Sequence, residues 1–514
     1  MTNKNNSRTK NTLLNIIFGF GYQFIALVLS FVSRTVFIHV FSVDFLGING
    51  LFSDILQMLT LADLGFNTAM TYSFYKPLAE NDKNKVASLI NFYKKVYRVI
   101  AISVAIIGLA LTPFVELIIN VEDEIPMLHI YYLFSLAEVI VSYLFIYKTT
   151  LLIADQKNYY IVRISIVINI LKTIFQIISI LSFRSYVIYL VVSLFFSFIN
   201  NYICSKRAEK EYPYLTSGTN ELTNNERKNI FKNLNSIFLY KLSGILLNAT
   251  DNIFISVLVN TVSVGYYSNY LMVNSKLMAF LSTGFGAVTA SLGNMIVKEK
   301  EEKRYEVFQT LQSVSFILCG IVVSSYLILI NDFIGIWLGT EFTFDLLTVT
   351  AIALNLYFGC VLQPIWSYRE ATGLYIKTKY IMLIAATLNI LLSLIMGINW
   401  GIKGILLASI VSRLLTYIWY EPYLLFKKYL KKSVKKYFFN LALNVLLVMV
   451  IAIVNAMIFD YVEVDGWINL ILKSIIVIGV TTIEFVLLYG KTEGCKLLIN
   501  KMKYYIKNII LNKR

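Results

Sequence analysis

The stretch Arg34-Thr35-Val36-Phe37-Ile38-His39-Val40-Phe41 decides the fold, because it returns as Asp251-Asn252-Ile253-Phe254-Ile255-Ser256-Val257-Leu258. Moving outward from these copies, further landmarks recur in the same order. Leu46-Gly47 matches Val264-Gly265, Gly65-Phe66 matches Gly284-Phe285, and Tyr147-Lys148 matches Tyr368-Arg369. Tyr160 then matches Tyr380, and Asn169 matches Asn389. The offset stays between 217 and 221 residues, so the chain carries an internal duplication.

The duplicated material is apolar. Of 514 residues, 57% are hydrophobic and only 15% are charged, against about 25% in ordinary soluble domains. A soluble protein of this balance would expose large apolar patches, whereas a lipid solvent removes that problem. A bilayer core needs about 20 apolar residues per helix. On that measure the sequence predicts fourteen spans, near 12–40, 46–75, 88–117, 127–152, 159–182, 185–204, 229–258, 264–295, 306–330, 346–368, 374–397, 402–422, 437–459 and 467–490. The first span lacks a small-residue cleavage site and reads as a retained helix.

The basic residues orient these spans. With the N-terminus on the cytoplasmic side, 38 of the 46 Lys and Arg residues fall in cytoplasmic segments, and the outer loops hold only Arg184 and Lys403. The outer loops are instead acidic or neutral, as at Glu122-Asp123-Glu124 and from Asp460 to Asp465. This asymmetry predicts that both termini are cytoplasmic. It also explains the net charge of +16 without nucleic acid, because the charges sit in short loops between apolar runs.

Six helices and a loop separate the two copies, so both begin on the same side, as in a parallel repeat about an axis along the membrane normal. The expected architecture is an all-α polytopic membrane protein with two pseudo-symmetric six-helix bundles around a central cavity and two further C-terminal helices. The divisions are an N-terminal lobe at 1–204, a linker at 205–228, a second lobe at 229–422, helices 13 and 14 at 423–490, and a basic tail at 491–514. Thr223-Asn224-Asn225-Glu226 has the form of a capping box that starts the seventh helix.

Five bases lie well inside spans: Arg34, Lys172, Lys241, Lys276 and Arg413. Each costs about 2.5–3.5 kcal/mol at a helix centre facing lipid. Together they would cost on the order of 12–17 kcal/mol, so they are expected to face a wet cavity, either as structural ion pairs or as an anion-binding surface. Lys473 lies near a helix end and is expected to snorkel. Asn49, Ser53 and Gln57, at spacing four, form one polar stripe on the second helix, and Asn274 sits beside Lys276 on the eighth. These side chains suit hydrogen bonding to sugar hydroxyls, or serve as glue between helices. The embedded acids Asp63, Glu138 and Asp251 are candidates to carry a coupling H+ or Na+. Pro364 predicts a kink in the tenth helix.

Nothing in the sequence has catalytic form. His39 and His129 are isolated, Cys204, Cys319, Cys360 and Cys495 lack ligand spacing or a disulfide framework, and there is no P-loop. No cofactor or metal is expected, and active transport would need an ion gradient or removal of product.

Four stretches carry a family resemblance: Phe45-Leu46-Gly47-Ile48-Asn49-Gly50-Leu51-Phe52, Leu61-Ala62-Asp63-Leu64-Gly65-Phe66, Tyr368-Arg369-Glu370-Ala371-Thr372-Gly373 and Asn399-Trp400-Gly401-Ile402-Lys403-Gly404-Ile405. With them the chain resembles the Wzx-type polysaccharide repeat-unit flippases, of the exporter superfamily that also holds multidrug (MATE) transporters and lipid II flippases. The resemblance implies a MATE-like fold in a bacterial cytoplasmic membrane and alternating access. It implies as substrate an oligosaccharide repeat unit on undecaprenyl diphosphate, flipped to the outer leaflet for capsule, O-antigen or exopolysaccharide assembly. A monomer working beside a polysaccharide polymerase and other assembly proteins is expected. Within the resemblance Arg34 matches a first-helix arginine position, while Lys276 and Arg413 lie on helices where relatives also carry cations. The alternatives are a lipid II flippase, an ion-coupled multidrug exporter (disfavoured by the excess of embedded bases) and a membrane polysaccharide polymerase (disfavoured by the short, acidic outer loops).

Overall fold

A computed structural model describes residues 2–41, 43–60, 66–120, 125–216, 222–459, 461–462, 464–497 and 499. Among them there is no strand. The long helices are α1 (Thr2–Val40), α2 (Val43–Leu59), α3 (Phe66–Glu80), α4 (Lys83–Leu111), α5 (Val115–Ile118), α6 (Leu128–Tyr143), α7 (Ile146–Ala154), α8 (Tyr159–Phe183) and α9 (Tyr186–Glu211). They continue as α10 (Asn224–Leu258), α11 (Thr261–Lys298), α12 (Glu301–Leu338), α13 (Leu346–Val361), α14 (Gln363–Thr372), α15 (Tyr375–Leu415), α16 (Tyr417–Leu425), α17 (Lys435–Phe459) and α18 (Trp467–Tyr489). Each of the fourteen expected spans coincides with one of these helices, with part of one, or with consecutive ones.

Among the described residues, eight helical segments are long and apolar enough to cross a membrane, and two bent pairs raise that to ten. One of the eight, 376–430, holds two expected spans, because α15 breaks at Gly401 with φ 60° and ψ −139°. The expected spans outside this set are 46–75, 229–258 and 264–295, which fall on α2 with α3, on α10 and on α11. The apolarity of the last two is diluted by Lys241, Asp251, Asn274 and Lys276, residues singled out above as polar or charged, whereas α2 and α3 are each shorter than 18 residues. The chain is therefore an all-α, multi-pass membrane protein.

The helices form two compact units, residues 1–268 and 269–514. In the first, α1 packs on α8, α8 and α6 on α9, and α2 on α10. In the second, α12 is the central element and packs on α13, α17 and α18. A side chain at Gly320 of α12 would collide with Phe485 of α18, so the missing Cβ seats that ring. Asn444 of α17 accepts from Tyr357 at 2.8 Å and donates to Tyr489 at 2.7 Å, tying three helices together in a buried chain. Lys473 is only 6% exposed; near the start of α18 it donates to Asp332 of α12 at 2.8 Å and to the Val462 carbonyl at 3.2 Å, so its reach toward the helix end finishes in an ion pair with a partly exposed acid.

The duplication is visible inside the helices. The pair α6 and α7 is bent by 51°, and the pair α13 and α14 by 42°, at positions 218 residues apart. The kink expected at Pro364 forms, but the first copy bends without a proline, so the bend belongs to the repeat. Residues with positive φ also recur at one offset: Gln156 with Gly373, and Arg184 with Gly401, although ψ is 34° at Arg184 and −139° at Gly401. Each ends or breaks a helix at the same point of its copy. The aligned Lys148 and Arg369 each pair with a glutamate on the last span of their repeat, Glu209 and Glu421.

The aligned glycines Gly47 and Gly265 face one another. A Cβ on Gly47 would strike Thr261, and one on Gly265 would strike Val43 and approach the Gly47 nitrogen at 3.4 Å. The starts of α2 and α11 thus meet with backbone almost touching backbone, which only glycine permits. The expected capping box also forms: Glu226 accepts from the Thr223 amide at 3.0 Å and pairs with Lys85 of α4.

Candidate functional site: a polar cavity in the first unit

Membrane helices hide polar side chains by pointing them at one another, so a hydroxyl-rich cavity within such a bundle needs a reason. The first unit contains one, of about 510 Å³. Two stripes of polar residues at spacing four form opposite walls. Asn49, Ser53 and Gln57 come from α2, and Ser193, Ser197 and Asn201 from α9. Ser135 and Ser142 of α6 close the third side, with Tyr189 beside them. Spacing four brings successive residues to one face of a helix, which is why three helices suffice.

Glu138 of α6 lies in this wall. It accepts from Lys172 of α8 at 3.2 Å, from Ser193 at 2.8 Å and from Ser197. Lys172 is therefore an internal counter-ion, and the lining is nearly neutral while staying dense in donors and acceptors. Tyr189 is an electrostatic neighbour of both Glu138 and Arg34. Arg34 of α1 donates to Ser268 and is half-buried. The structure thus draws Arg34, Lys172, Glu138, Asn49, Ser53 and Gln57 into one region of the first unit.

The remaining candidates lie elsewhere. Lys241 is half-buried on α10. Asp251 is buried further along α10, next to Asn252, whose amide donates to Asp54 of α2 at 2.6 Å. Lys276 and Asn274 sit on α11, and Arg413 on α15, all in the second unit. Asp63 lies outside the described residues. Sequence reasoning missed the α9 stripe, although Ser193-x-x-x-Ser197-x-x-x-Asn201 has the same spacing as the α2 stripe it did find. It also missed Asp54, an acid inside an apolar span.

Such a lining can hold an uncharged, polyhydroxylated group through many weak hydrogen bonds. Among the described residues no group of three or more His, Cys, Asp and Glu side chains is placed to hold a metal ion.

No protein-family profile matches the sequence, and no curated protein matches it. Solved structures do. The lipid II flippase MurJ in an inward closed conformation superposes with a TM-score of 0.67 at 16% identity, covering 91% of this chain and 99% of that one. An inward-facing multidrug resistance MATE family transporter of the MOP superfamily gives 0.55 at 12% identity over 79% of this chain and 97% of that one. The Vibrio cholerae MATE transporter VcmN in its bent form gives 0.54 at 13% identity over 83% and 98%. The chain therefore has the fold shared by the MurJ flippase and the MATE transporters.

Proposed function

We propose that this protein is a flippase that moves an oligosaccharide repeat unit, carried on undecaprenyl diphosphate, from the inner to the outer leaflet for capsule, O-antigen or exopolysaccharide assembly. The observation that carries the reading is the cavity walled by the Asn49-Ser53-Gln57 and Ser193-Ser197-Asn201 stripes. It offers hydroxyls and amides with its one carboxylate already neutralised, a chemistry that suits a glycan and poorly suits a cationic drug. The membrane-embedded bases, Arg34 and Lys241 in the first unit and Lys276 and Arg413 in the second, each supply positive charge of the kind that an anionic diphosphate needs. In the second unit a cavity of about 320 Å³, almost wholly apolar and lined by Leu277, Ile321, Leu329, Phe333 and Ile478, suits a polyprenyl chain. The protein acts as a transporter and not an enzyme. Its coupling ion is H+ or Na+, carried by Asp63, Glu138 or Asp251, with Asp54 added as a neighbour of Asp251.

The likeness to a lipid II flippase over nearly its full length favours one second reading, in which the glycan is that of lipid II. The test is substitution of Arg34→Ala and Lys276→Ala, with protein level in the membrane and polymer output both measured. Export should stall with the protein still present. Normal output from both variants would overturn the role of these bases. Rescue of cells that lack their lipid II flippase would favour the second reading over the first.

A further inference from the structure

The second unit contains a cavity of about 650 Å³ that the transport reading does not use. It lies between α12, α17 and α18, and its volume falls in the range of small-molecule and cofactor sites. One end of it is marked by Lys436 at the start of α17 and Lys491 just after α18. The basic-residue asymmetry assigns that end to the cytoplasmic face.

Gln312 of α12 projects into the cavity. It is only 6% exposed, yet among the described residues neither its amide nitrogen nor its amide oxygen has a hydrogen-bond partner. Buried amides are almost always satisfied, so a side chain with both atoms unmet points to a ligand that supplies a donor and an acceptor together. A hydroxyl does both. Asn440 and Thr492 stand on the same wall, and the rings of Phe308, Tyr437 and Tyr489 flank them. Aromatic faces beside amides suit the C–H and O–H surfaces of a polyol.

Charge at the mouth selects among polyols. Glu493 is held there by Gln309 at 3.0 Å and by Lys436 at 3.5 Å. Lys491 is exposed and has no ion pair among the described residues. Among the lining residues two ammonium groups and one carboxylate leave a net positive charge, and Lys496 adds to it beside Glu493, which suits one phosphodiester. From Lys436 the lining climbs α17 through Asn440 and Leu443 to Leu447, a rise of about 16 Å. Leu443 is 44% exposed and Leu488 on α18 is 47% exposed, so this wall opens sideways to the lipid. A soluble ligand would gain nothing from that opening, whereas an acyl chain would.

We propose that this cavity binds one anionic phospholipid with an uncharged polyol headgroup, of which phosphatidylglycerol is the simplest. The glycerol hydroxyls meet Gln312 and Asn440, the phosphodiester meets Lys436 and Lys491, and an acyl chain lies along Leu443, Leu447 and Leu488. The site is independent of the glycan that the protein moves.

The test uses the full-length protein, extracted and reconstituted with phosphatidylglycerol, phosphatidylethanolamine or phosphatidylcholine. Native mass spectrometry counts the retained lipid, and a thermal melt reads its effect. One phosphatidylglycerol should be retained and should raise Tm, while the other two lipids should do neither. Gln312→Leu keeps the volume but removes the amide, and Lys491→Ala removes the exposed charge at the surface. Each should weaken retention by about tenfold. Both variants should melt like the parent in phosphatidylcholine, which separates lost binding from lost folding. Equal retention of the three lipids would overturn the proposal, as would parent-like binding by both variants. Equal protection by soluble glycerol 1-phosphate would show a site for a free polyol phosphate and would overturn the lipid assignment.

Discussion

Removing Lys172 while leaving Glu138 in place should destabilise the first unit by an amount that the structure bounds. The ammonium and carboxylate lie 3.2 Å apart, with side-chain exposures of 22% and 33%. At that distance and an effective dielectric of about 20, the attraction is about 5 kcal/mol. Partial exposure screens it, and desolvation of both ions offsets much of the rest. Glu138 also keeps its bonds to Ser193 and Ser197 in a Lys172→Met variant. The net loss should therefore be about 1–3 kcal/mol, the cost of a charge left with hydroxyls alone. For a unit of this size that lowers Tm by about 3–10 °C. Glu138→Gln should rescue it, because the amide needs no counter-ion and fits the same two serines. The assay is a double-mutant cycle read by thermal melting of the purified protein, with Lys172→Met, Glu138→Gln and the pair. A coupling energy within about 0.3 kcal/mol of zero would refute the assignment of Lys172 as internal counter-ion. Lys172 would then be free to bind substrate, and the cavity would be cationic and not neutral.

Gly47→Ala should cost about 1–3 kcal/mol, because its Cβ would meet the Thr261 backbone, which cannot give way. Gly50→Ala on the same helix meets only Val264 at 3.6 Å, an ordinary contact, and should leave Tm unchanged or raise it; equal melting of the two variants would refute the close approach. Outside the membrane, the Lys85 ammonium holds the Glu226 carboxyl below the usual glutamate range. A depressed folded value means that this stability is present above the ordinary glutamate pKa and lost as pH falls from there through the lower folded value, by about 0.5 kcal/mol for so exposed a pair. Hydrogen exchange at the first turn of α10, corrected for intrinsic rates, should quicken as pH falls through that range in the parent and stay flat in Glu226→Gln.

The existence and order of the helices were legible in the sequence because a bilayer forces each span to be long and apolar and to satisfy its own backbone. The duplication was legible where residue types had been kept, as at Gly47 and Gly265, whose near-contact allows no side chain. It was hidden where only the place of a helix break had been kept: Gln156 and Arg184 take positive φ where Gly373 and Gly401 take it in the second copy. The α2 stripe could be read from its spacing of four. That it faces a matching stripe on α9 could not, because periodicity gives the face of a helix but not the neighbour that face meets.

Charge pairing was decided only by tertiary structure. Lys172 and Glu138 are 34 residues apart, and Lys473 and Asp332 are 141 apart. A sequence shows that a buried ion must have a partner, since an unpaired one is too costly. Which partner it has depends on packing, so the sequence by itself marked five embedded bases as one class, and the fold separated Lys172, bound to its own acid, from Arg34 beside the polar cavity.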